Sequence, residues 1–362
     1  MKERSSGKAR RPLKIWKLLL RLVAAIIVFA AAAFLALTLT EYKPDPIEVT
    51  HNHPAEDAPK LAPGASLTVV TYNTGYAALG EDADFFMDGG KTTRPDSRET
   101  VSRNIEGVSG ELGSYGADIV LLQEVDKDSK RSYYVDEAEE YAAALHGMAA
   151  SFALNYSSAY VPFPIPSTLG RVQSGLMTFL KYPSVSSERV QLPVPFSWPV
   201  RCFNLKRCML IDRIPLEGTD KELVVINMHL EAYDSGEGRI AQAKQLFEQL
   251  EKERELGNYV IVGGDFNQTF PGVKEYPAVK EGNWMPHVLD EALPEGFSFA
   301  VDPEKPTCRL LDVPYKGNPD PQYYIIDGFI VSSNITVESV EVIETGFVYA
   351  DHQPVKLNIT LN

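Results

Sequence analysis

The stretch Tyr259–Asn267, YVIVGGDFN, is an apolar run that reaches two glycines and then presents Asp265 and Asn267. The run predicts a buried β-strand, because short apolar segments bounded by turn residues are typical of strands within a sheet. Residues two apart on an extended backbone point to the same side. Asp265 and Asn267 are therefore predicted to face one spot, where they can hold and deprotonate a water molecule. An ordinary polar turn is the alternative, since Gly, Asp and Asn favour turns for backbone reasons alone.

From Ser66 onward, the chain alternates between apolar runs and helical patterns. Further strands are predicted at residues 67–73, 118–125, 175–180, 208–216, 222–230, 323–331, 335–343 and 354–362, and helices at 98–113, 138–149 and 238–256. A Pro-rich loop is predicted at residues 161–166. Apolar runs interleaved with a few helices favour a mixed sheet, or two sheets covered by helices.

The N-terminal region has the pattern of a membrane anchor. Residues 1–21 contain eight basic side chains and one acidic side chain, and residues 22–39 are uncharged and mainly apolar. A helix of about 20 apolar residues spans a bilayer, and flanking basic residues favour the cytoplasmic side. The pattern predicts a transmembrane helix with a cytoplasmic N-terminus. A cleavable signal peptide is the alternative, because Ala31, Ala32 and Ala33 offer small residues to a peptidase, although the apolar stretch exceeds the usual signal-peptide core.

Residues 40–65 contain five prolines and few large apolar side chains, which predicts an extended linker. The predicted organisation is a basic cytoplasmic segment at residues 1–21, a transmembrane anchor at 22–39, this linker at 40–65 and one catalytic domain at 66–362. The catalytic domain is then expected on the extracytoplasmic side of the cell membrane.

The charge of the chain is unevenly distributed. The whole chain carries −14 and residues 1–21 carry +7, so residues 22–362 carry −21. This acidic remainder has no basic stripe of the kind that binds nucleic-acid phosphates. It weakens a nucleic-acid-binding function without excluding it, because a metal ion inverts the potential of an acidic site.

The chain contains three cysteines, Cys202, Cys208 and Cys308. Cys202 and Cys208 flank the segment FNLKR, which is predicted to form a hairpin where two facing cysteines can approach closely enough for a disulfide. The sequence leaves that pairing open. No Cys-x-x-Cys motif supports a zinc or redox site.

Polar side chains that the preceding apolar runs do not require follow several predicted strands or precede the last one. They are Asn73, Gln123, Glu124, His229, Asp265, Asn267, Asp327, Asp351 and His352. Hard divalent cations prefer oxygen ligands. Hydrolysis of a phosphate ester also needs a base for the attacking water and a group that stabilises the leaving oxygen. No Gly-x-Ser-x-Gly motif or paired catalytic cysteine is present, so the pattern indicates metal-assisted hydrolysis.

The order and spacing of these motifs resemble the endonuclease/exonuclease/phosphatase superfamily, which includes deoxyribonucleases and neutral sphingomyelinases. The resemblance covers residues 66–362 and rests on Asn73, Gln123–Glu124, Asn227–Leu230 (NMHL), Gly264–Asn267 (GDFN), Ile326–Asp327 and Asp351–Pro354 (DHQP). It implies an α/β fold with four layers, a sandwich of two mixed β-sheets flanked by helices. One departure is Ala350, which replaces the serine that usually precedes the Asp-His pair.

The resemblance also implies a cofactor and roles. Mg²⁺ is the expected metal, with Mn²⁺ as an alternative, and its ligands are expected to be Glu124 with help from Asp351. The expected catalytic residues are Asp265 as the residue that orients or deprotonates water, Asn73 and Asn267 as positioning residues, His229 at a phosphoryl oxygen or the leaving group, and His352 at the phosphate, paired with Asp327.

The predicted function is that of a membrane-anchored, extracytoplasmic, Mg²⁺-dependent phosphoric ester hydrolase, in particular a phosphodiesterase. Lipids, nucleic acids and small molecules all remain open as the phosphate-ester substrate. A nuclease acting on DNA or RNA is one alternative, and a non-catalytic binding module that keeps the fold is another. The membrane is contacted through the N-terminal helix, and no protein partner is implied.

Overall fold

The computed structural model describes residues 13–50, 58–234, 236–289 and 292–362. Most of the basic segment predicted at residues 1–21 lies outside the described residues. The chain divides into a small N-terminal unit, which ends at Tyr42, and a large unit, Lys43–Asn362. Helix α1, Leu13–Thr40, belongs to the first unit. Its segment Ile15–Thr40, with a mean hydropathy of 2.8, is long and apolar enough to cross a membrane, a test that signal sequences also pass.

The large unit combines long strands with three further helices among the described residues. The helices are α2, Arg98–Ser114, α3, Glu137–Ala144, and α4, Glu237–Leu256. The strands are β1, Ile47–Val49; β2, Ser66–Asn73; β3, Ile119–Asp126; β4, Ala149–Val161; β5, Gly170–Leu180; β6, Ser186–Gln191; β7, Cys208–Pro215; β8, Glu222–His229; β9, Tyr259–Asp265; β10, Gln268–Thr269; β11, His287–Val288; β12, Phe297–Ala300; β13, Cys308–Arg309; β14, Tyr323–Tyr324; β15, Asp327–Ser332; β16, Ile335–Val342; and β17, Val355–Leu361.

Most strands belong to two mixed sheets. One sheet has seven strands in the order β1-β6-β7-β8-β9-β15-β12, and the other has six in the order β16-β17-β2-β3-β5-β4. Each contains one parallel pair, β8 with β9 and β2 with β3, while the other neighbours are antiparallel. Parallel neighbours need a crossover connection, and here α4 and α2 lie in those connections. The parallel pairs therefore end at the same edge of their sheets.

The core lies in three apolar layers. Val69, Leu121, Val225 and Phe329 belong to the cluster between the sheets. A second cluster joins α2 and α3 to the outer face of the six-stranded sheet, and a third joins α4 to the outer face of the seven-stranded sheet. The order is therefore helices, sheet, sheet, helix, which confirms the predicted four-layer α/β sandwich.

The two glycines of YVIVGGDFN let the sheets and strands approach closely. A Cβ on Gly263 would lie 2.6 Å from Leu121 and 2.8 Å from Phe329, which belong to the packed interior. A Cβ on Gly264 would overlap the carbonyl oxygen of Met228, and Gly264 has a φ of 152°. Only glycine tolerates both conditions without strain, so the backbone can reach Asp265 without displacing its neighbours.

Several predicted elements differ in their limits. The helix predicted at residues 138–149 begins at Glu137 and ends at Ala144, because β4 starts at Ala149. The strand predicted at residues 323–331 is two strands, β14 and β15, separated by Ile325 and Ile326. Strands β4, β6 and β12 were not predicted. These strands mix small, polar and apolar side chains, so they lack the continuous apolar runs that mark the predicted strands.

Parts of the segment predicted as a linker, residues 40–65, pack against the large unit, because β1 pairs with β6 and Leu61 is buried and bridges to Leu216. The compact unit accordingly begins at Lys43, before the predicted domain boundary at Ser66. The predicted hairpin around FNLKR is wrong, since Cys202 lies in a 3₁₀ turn and Cys208 begins β7. All three cysteines are buried thiols, not disulfides.

Candidate active site

A cleft lies where the strand ends of both sheets meet. Glu124 on β3, Asp265 at the end of β9, and Asn267, Asp351 and His352 on connecting segments line it. The other predicted site residues are buried directly behind them. They are Asn73 at the end of β2, His229 at the end of β8 and Asp327 at the start of β15. The structure therefore brings all eight predicted site residues to one place.

Asp265 lies at the centre of this group. Its Oδ2 accepts a 3.0 Å hydrogen bond from the Asn73 amide and lies 3.3 Å from Nε2 of His229 and 3.7 Å from Nε2 of His352. Burial and the nearby Asp327 carboxylate raise the pKa of Asp265 to about 7. A base with a pKa near neutrality is well matched to removing a proton from water at that pH.

Asn267 reaches the cleft in a different way from the one predicted. Its φ is 49°, so the backbone after Asp265 is turned and not extended. The backbone N–H of Asn267 donates a 2.8 Å hydrogen bond to Oδ1 of Asp265, and its side-chain amide donates to the carbonyl of Leu230. The segment is thus a polar turn and part of the site at once, because the turn fixes the Asp265 carboxylate through its own backbone.

His352 and Asp327 form the pair that the resemblance implied. Nδ1 of His352 lies 2.8 Å from Oδ2 of Asp327, and both residues are buried. Burial favours the neutral imidazole, but the Asp327 carboxylate and the Cys308 side chain together outweigh it and raise the pKa of His352 well above its ordinary value. A carboxylate on Nδ1 fixes the ring orientation. Nε2 is therefore directed to the side of the ring where Asp265 lies.

His229 has the opposite electrostatic environment. Burial and the positive charge of Arg207 lower the pKa of His229 well below its ordinary value. Its Nδ1 lies 3.9 Å from Oε1 of Glu124 and has no hydrogen-bond partner among the described residues. The site therefore contains one imidazole that is neutral and one that is held in its charged form, which suits them to different roles.

Glu124 is placed by a local irregularity of its strand. The β3–β5 pairing shifts register between Leu122 and Val125, and Glu124 has a φ of 59°. Such a conformation is uncommon for a residue other than glycine, and bulges of this kind redirect side chains. The irregularity turns the Glu124 carboxylate into the cleft. Burial and the Asp351 carboxylate raise the pKa of Glu124 to about 8.

The donor set fits a divalent cation. Oδ1 of Asp351 is buried and has no hydrogen-bond partner among the described residues, which is costly for a carboxylate. A Cβ on Gly75 would lie 2.7 Å from this oxygen, so glycine leaves it room. Two groups of potential ligand atoms lie close together: Asp265 with Asp327 and His352, and Cys308 with Asp351 and His352. Glu124 belongs to neither group, so its assignment as principal ligand remains a prediction.

A buried hydrogen-bond network supports the site from behind. Nε2 of Gln123 donates a 2.8 Å bond to Oδ1 of Asn227, and Nδ2 of Asn227 donates to the carbonyls of Leu122 and Met177. Gln123 lies on the six-stranded sheet and Asn227 on the seven-stranded sheet. These two motif residues therefore join the sheets and hold the strand ends at a fixed separation.

Three buried arginines in the cleft were not predicted as site residues. They are Arg131, Arg207 and Arg309. Arg131 donates two hydrogen bonds to Asp126, at 3.0 and 2.9 Å, and its guanidinium lies 3.1 Å from the centre of the Tyr76 ring. No local spacing relates these arginines to the motifs, since Arg131 and Arg207 lie on two separate connections and Arg309 ends the short strand β13.

The walls of the cleft are largely apolar. They include Phe85, Phe163, Leu169, Phe203 and Trp284. Polar groups thus cover the floor of the cleft and aromatic side chains cover its sides. Ligand sites commonly combine an apolar lining with a few polar groups that fix orientation.

The family sequence model described as "Endonuclease/Exonuclease/phosphatase family" matches residues 70–352. The chain therefore belongs to the endonuclease/exonuclease/phosphatase family, whose members are metal-dependent phosphoesterases and nucleases. No curated protein sequence gives a significant match.

Solved structures share the fold. An endonuclease/exonuclease/phosphatase from Beutenbergia cavernae DSM 12333 is 18% identical, with a TM-score of 0.57, and the match covers 82% of this chain and 72% of that one. TDP2 from Caenorhabditis elegans is 15% identical, with a TM-score of 0.50 and coverage of 85% and 77%. The human Nocturnin catalytic domain is 15% identical, with a TM-score of 0.50 and coverage of 86% and 98%.

Proposed function

We propose that this protein is a membrane-anchored, extracytoplasmic, Mg²⁺-dependent hydrolase of phosphodiesters. The observation that carries the proposal is the position of Asp265. Its buried carboxylate contacts Asn73 and His229, and burial raises its pKa to about 7. Such a group is suited to accept a proton from an attacking water at neutral pH.

The residues divide the work of hydrolysis. Asp265 accepts the proton of the water whose oxygen attacks phosphorus, while the ester P–O bond breaks and the leaving oxygen departs with its electron pair. His352, charged because of Asp327, and the neutral His229 stabilise the negative charge that develops on the phosphoryl oxygens. Asn73 holds the Asp265 carboxylate in place, and Asn267 fixes it through its backbone N–H.

Glu124 and Asp351 are the residues that would hold Mg²⁺ or Mn²⁺. When bound, the cation supplies Lewis-acid stabilisation of a phosphate oxygen. The unpartnered Oδ1 of Asp351 and the raised pKa of Glu124 both support a cation here, because a positive charge relieves two buried carboxylates.

Phospholipid-type phosphodiesters are the favoured substrates. Support comes from the apolar walls of the cleft and from two loops beside it, whose apolar side chains Phe163, Ile165, Trp198 and Val200 are 40, 85, 43 and 52% exposed. Phe163 packs against Phe203, with ring centres 6.1 Å apart, which brings these loops together. Exposed apolar patches commonly mark sites that bind partners or lipid. The excess of acidic residues disfavours a nuclease by comparison.

The proposal is tested with the full chain in detergent micelles containing Mg²⁺. Hydrolysis of phospholipids in mixed micelles is compared with hydrolysis of DNA and RNA at equal phosphate concentration. We expect the lipid to be cleaved fastest, and Asp265→Ala to remove the activity. Preferential cleavage of nucleic acid would favour the nuclease alternative, and no cleavage of any ester would favour a binding module.

Anchoring is tested separately. The helix Leu13–Thr40 supports it, and the mature N-terminus distinguishes an anchor from a signal peptide. We expect mass spectrometry of the membrane-bound protein to recover peptides from residues 22–39. A mature N-terminus after Ala33 would show cleavage.

A further inference from the structure

We propose that the guanidinium of Arg207 binds a non-bridging oxygen of the reacting phosphate. The inference rests on the proposed hydrolysis of phosphate esters and adds a substrate-binding residue to it. Arg207 lines the cleft together with Glu124, Asp265 and His352, and only 4% of the residue is exposed.

Two donor nitrogens of Arg207 are unused within the part of the chain that the structure describes. Neither Nε nor Nη1 has a hydrogen-bond partner among the described residues, although both atoms are buried. Burying a charged group without partners is expensive, and a guanidinium carries five N–H donors. A ligand that supplies acceptor oxygens would remove this cost.

The nearest carboxylate does not satisfy Arg207. Oε2 of Glu231 lies 3.8 Å from Nε, which is longer than a hydrogen bond, and the described part of the chain offers this oxygen no hydrogen-bond partner. The other oxygen, Oε1, accepts the backbone N–H groups of Ala232 and Tyr233 at 3.1 and 3.3 Å. Glu231 thus balances the charge of Arg207 at a distance and leaves the guanidinium donors available.

The other two arginines of the cleft are committed to the protein. Arg131 donates two bonds to Asp126 and stacks on Tyr76. Nη2 of Arg309 donates to the carbonyls of Leu79 and Gly80, at 3.1 and 2.8 Å, and of its buried nitrogens only Nε has no partner in the described part of the chain. Of the three, Arg207 has the most donors free for a ligand.

Arg207 also lies next to the strands that position His229. It directly precedes β7, and Met209 of β7 pairs with Met228, the residue before His229. The guanidinium is therefore on the His229 side of the cleft. Guanidinium groups match phosphate oxygens in charge and geometry and form short, charge-assisted hydrogen bonds with them. The chemistry of the guanidinium therefore favours contact with the phosphate over contact with the apolar part of the ester.

The test uses the full chain in detergent with Mg²⁺, and compares wild type with Arg207→Gln and Arg207→Lys. The substrate is bis(4-nitrophenyl) phosphate, which has a single phosphate, and the second readout is the dissociation constant of inorganic phosphate by calorimetry. We expect Arg207→Gln to lower kcat/KM roughly 10- to 100-fold and to weaken phosphate binding about tenfold, since a charge-assisted bond is lost. Arg207→Lys should keep part of the activity and part of the phosphate affinity, because lysine retains the positive charge but lacks the paired N–H donors of a guanidinium.

Two further variants sharpen the result. Glu231→Gln keeps an oxygen for the two backbone N–H groups but removes the competing charge, so phosphate should bind more tightly. Arg171→Gln is the matched control, because Arg171 is 51% exposed, pairs with Asp128 and is outside the cleft lining. It should change neither readout. If Arg207→Gln does not fold, Arg207→Lys and Glu231→Gln still test the proposal from opposite directions.

The outcomes separate this inference from the proposed function. Hydrolysis by wild type that is unchanged in both Arg207 variants would overturn the role of Arg207 and leave the hydrolase assignment standing. Weaker binding of inorganic phosphate by Arg207→Gln with an unchanged kcat/KM for bis(4-nitrophenyl) phosphate would overturn its assignment to the reacting phosphate. The wild-type protein could also bind phosphate without hydrolysing the ester. If that binding weakened in the Arg207 variants, the result would support the role of Arg207 in binding and contradict the hydrolase assignment.

Discussion

The side-chain amide of Asn73 donates a 3.0 Å hydrogen bond to Oδ2 of Asp265, and this bond joins the ends of two different β-sheets. Asn73 ends β2 of the six-stranded sheet, whereas Asp265 ends β9 of the seven-stranded sheet. Behind them, the bond from Gln123 to Asn227 joins the same two sheets. The geometry around the Asp265 carboxylate therefore depends on how the sheets pack against each other.

Replacing Asn73 with Ala should lower kcat much more than it lowers stability. The variant loses the bond that orients Asp265, and we expect kcat to fall roughly 10- to 100-fold, as for other positioning groups. Steady-state kinetics and a thermal unfolding curve measure the two effects. Asn358→Ala is the control, because it removes side-chain bonds to Thr68 and Ser339 in the same sheet. Equal loss of kcat in both variants would contradict a specific role for Asn73.

Gly264→Ala should prevent stable folding, whereas Gly218→Ala should be tolerated. A Cβ at Gly264 overlaps the Met228 carbonyl, and its φ of 152° is itself unfavourable for alanine. Gly218 also has a positive φ, 79°, but nothing lies within 4 Å of its Cβ position. Strain of that kind alone costs about 1–2 kcal/mol. The urea midpoints of the two variants are compared. Similar midpoints would show that the overlap with the Met228 carbonyl does not determine the stability of Gly264→Ala.

The fold and most of the site were predictable because their signals are local. Apolar runs mark the buried strands, and polar residues that follow directly, such as Asp265 and His229, lie at one sheet edge because the parallel pairs end together. Strand β1 was not predictable, since its three residues lie in a Pro-rich segment and pair with the distant β6. The left-handed backbone of Glu124 depends on its surroundings and not on residue type, whereas asparagine is a residue type that tolerates the positive φ of Asn267.

The three arginines of the cleft were not predictable from local sequence patterns either. Arg131, Arg207 and Arg309 lie far apart in the chain, and their positions follow from the packing of two connections and the short strand β13. Whether a guanidinium is paired is a property of the folded protein. The pairing of Arg131 with Asp126, and the lack of hydrogen-bond partners for Nε and Nη1 of Arg207 among the described residues, therefore follow only from the tertiary structure.

Asp212 should make the protein less stable as the pH rises through the range of about 4 to 6. This carboxyl is buried, its Oδ2 accepts a 2.9 Å bond from Ser151, and its Oδ1 has no partner among the described residues. Burial raises the pKa of Asp212 to about 6. The unfolded pKa is about 3.9, so the folded state binds more protons between these values. Stability then falls with rising pH across that window, by about 3 kcal/mol at most.

Asp212→Asn removes the titrating carboxyl group and should abolish the fall in stability that it causes between about pH 4 and 6. Urea midpoints at pH 4, 5, 6 and 7 measure it, and the variant should gain stability relative to wild type as the pH increases. A constant difference between the two proteins across this range would show that Asp212 does not titrate as its burial predicts.

Hydrolysis of bis(4-nitrophenyl) phosphate by the full chain, with Mg²⁺ and after removal of metal by EDTA, tests the central claim most directly. We predict activity that disappears with EDTA, returns with added Mg²⁺ and falls roughly 1000-fold in Asp265→Ala, within the range for loss of a general base. The folded state of Asp265→Ala is checked by circular dichroism. Hydrolysis that continues unchanged in EDTA and in Asp265→Ala would contradict the account.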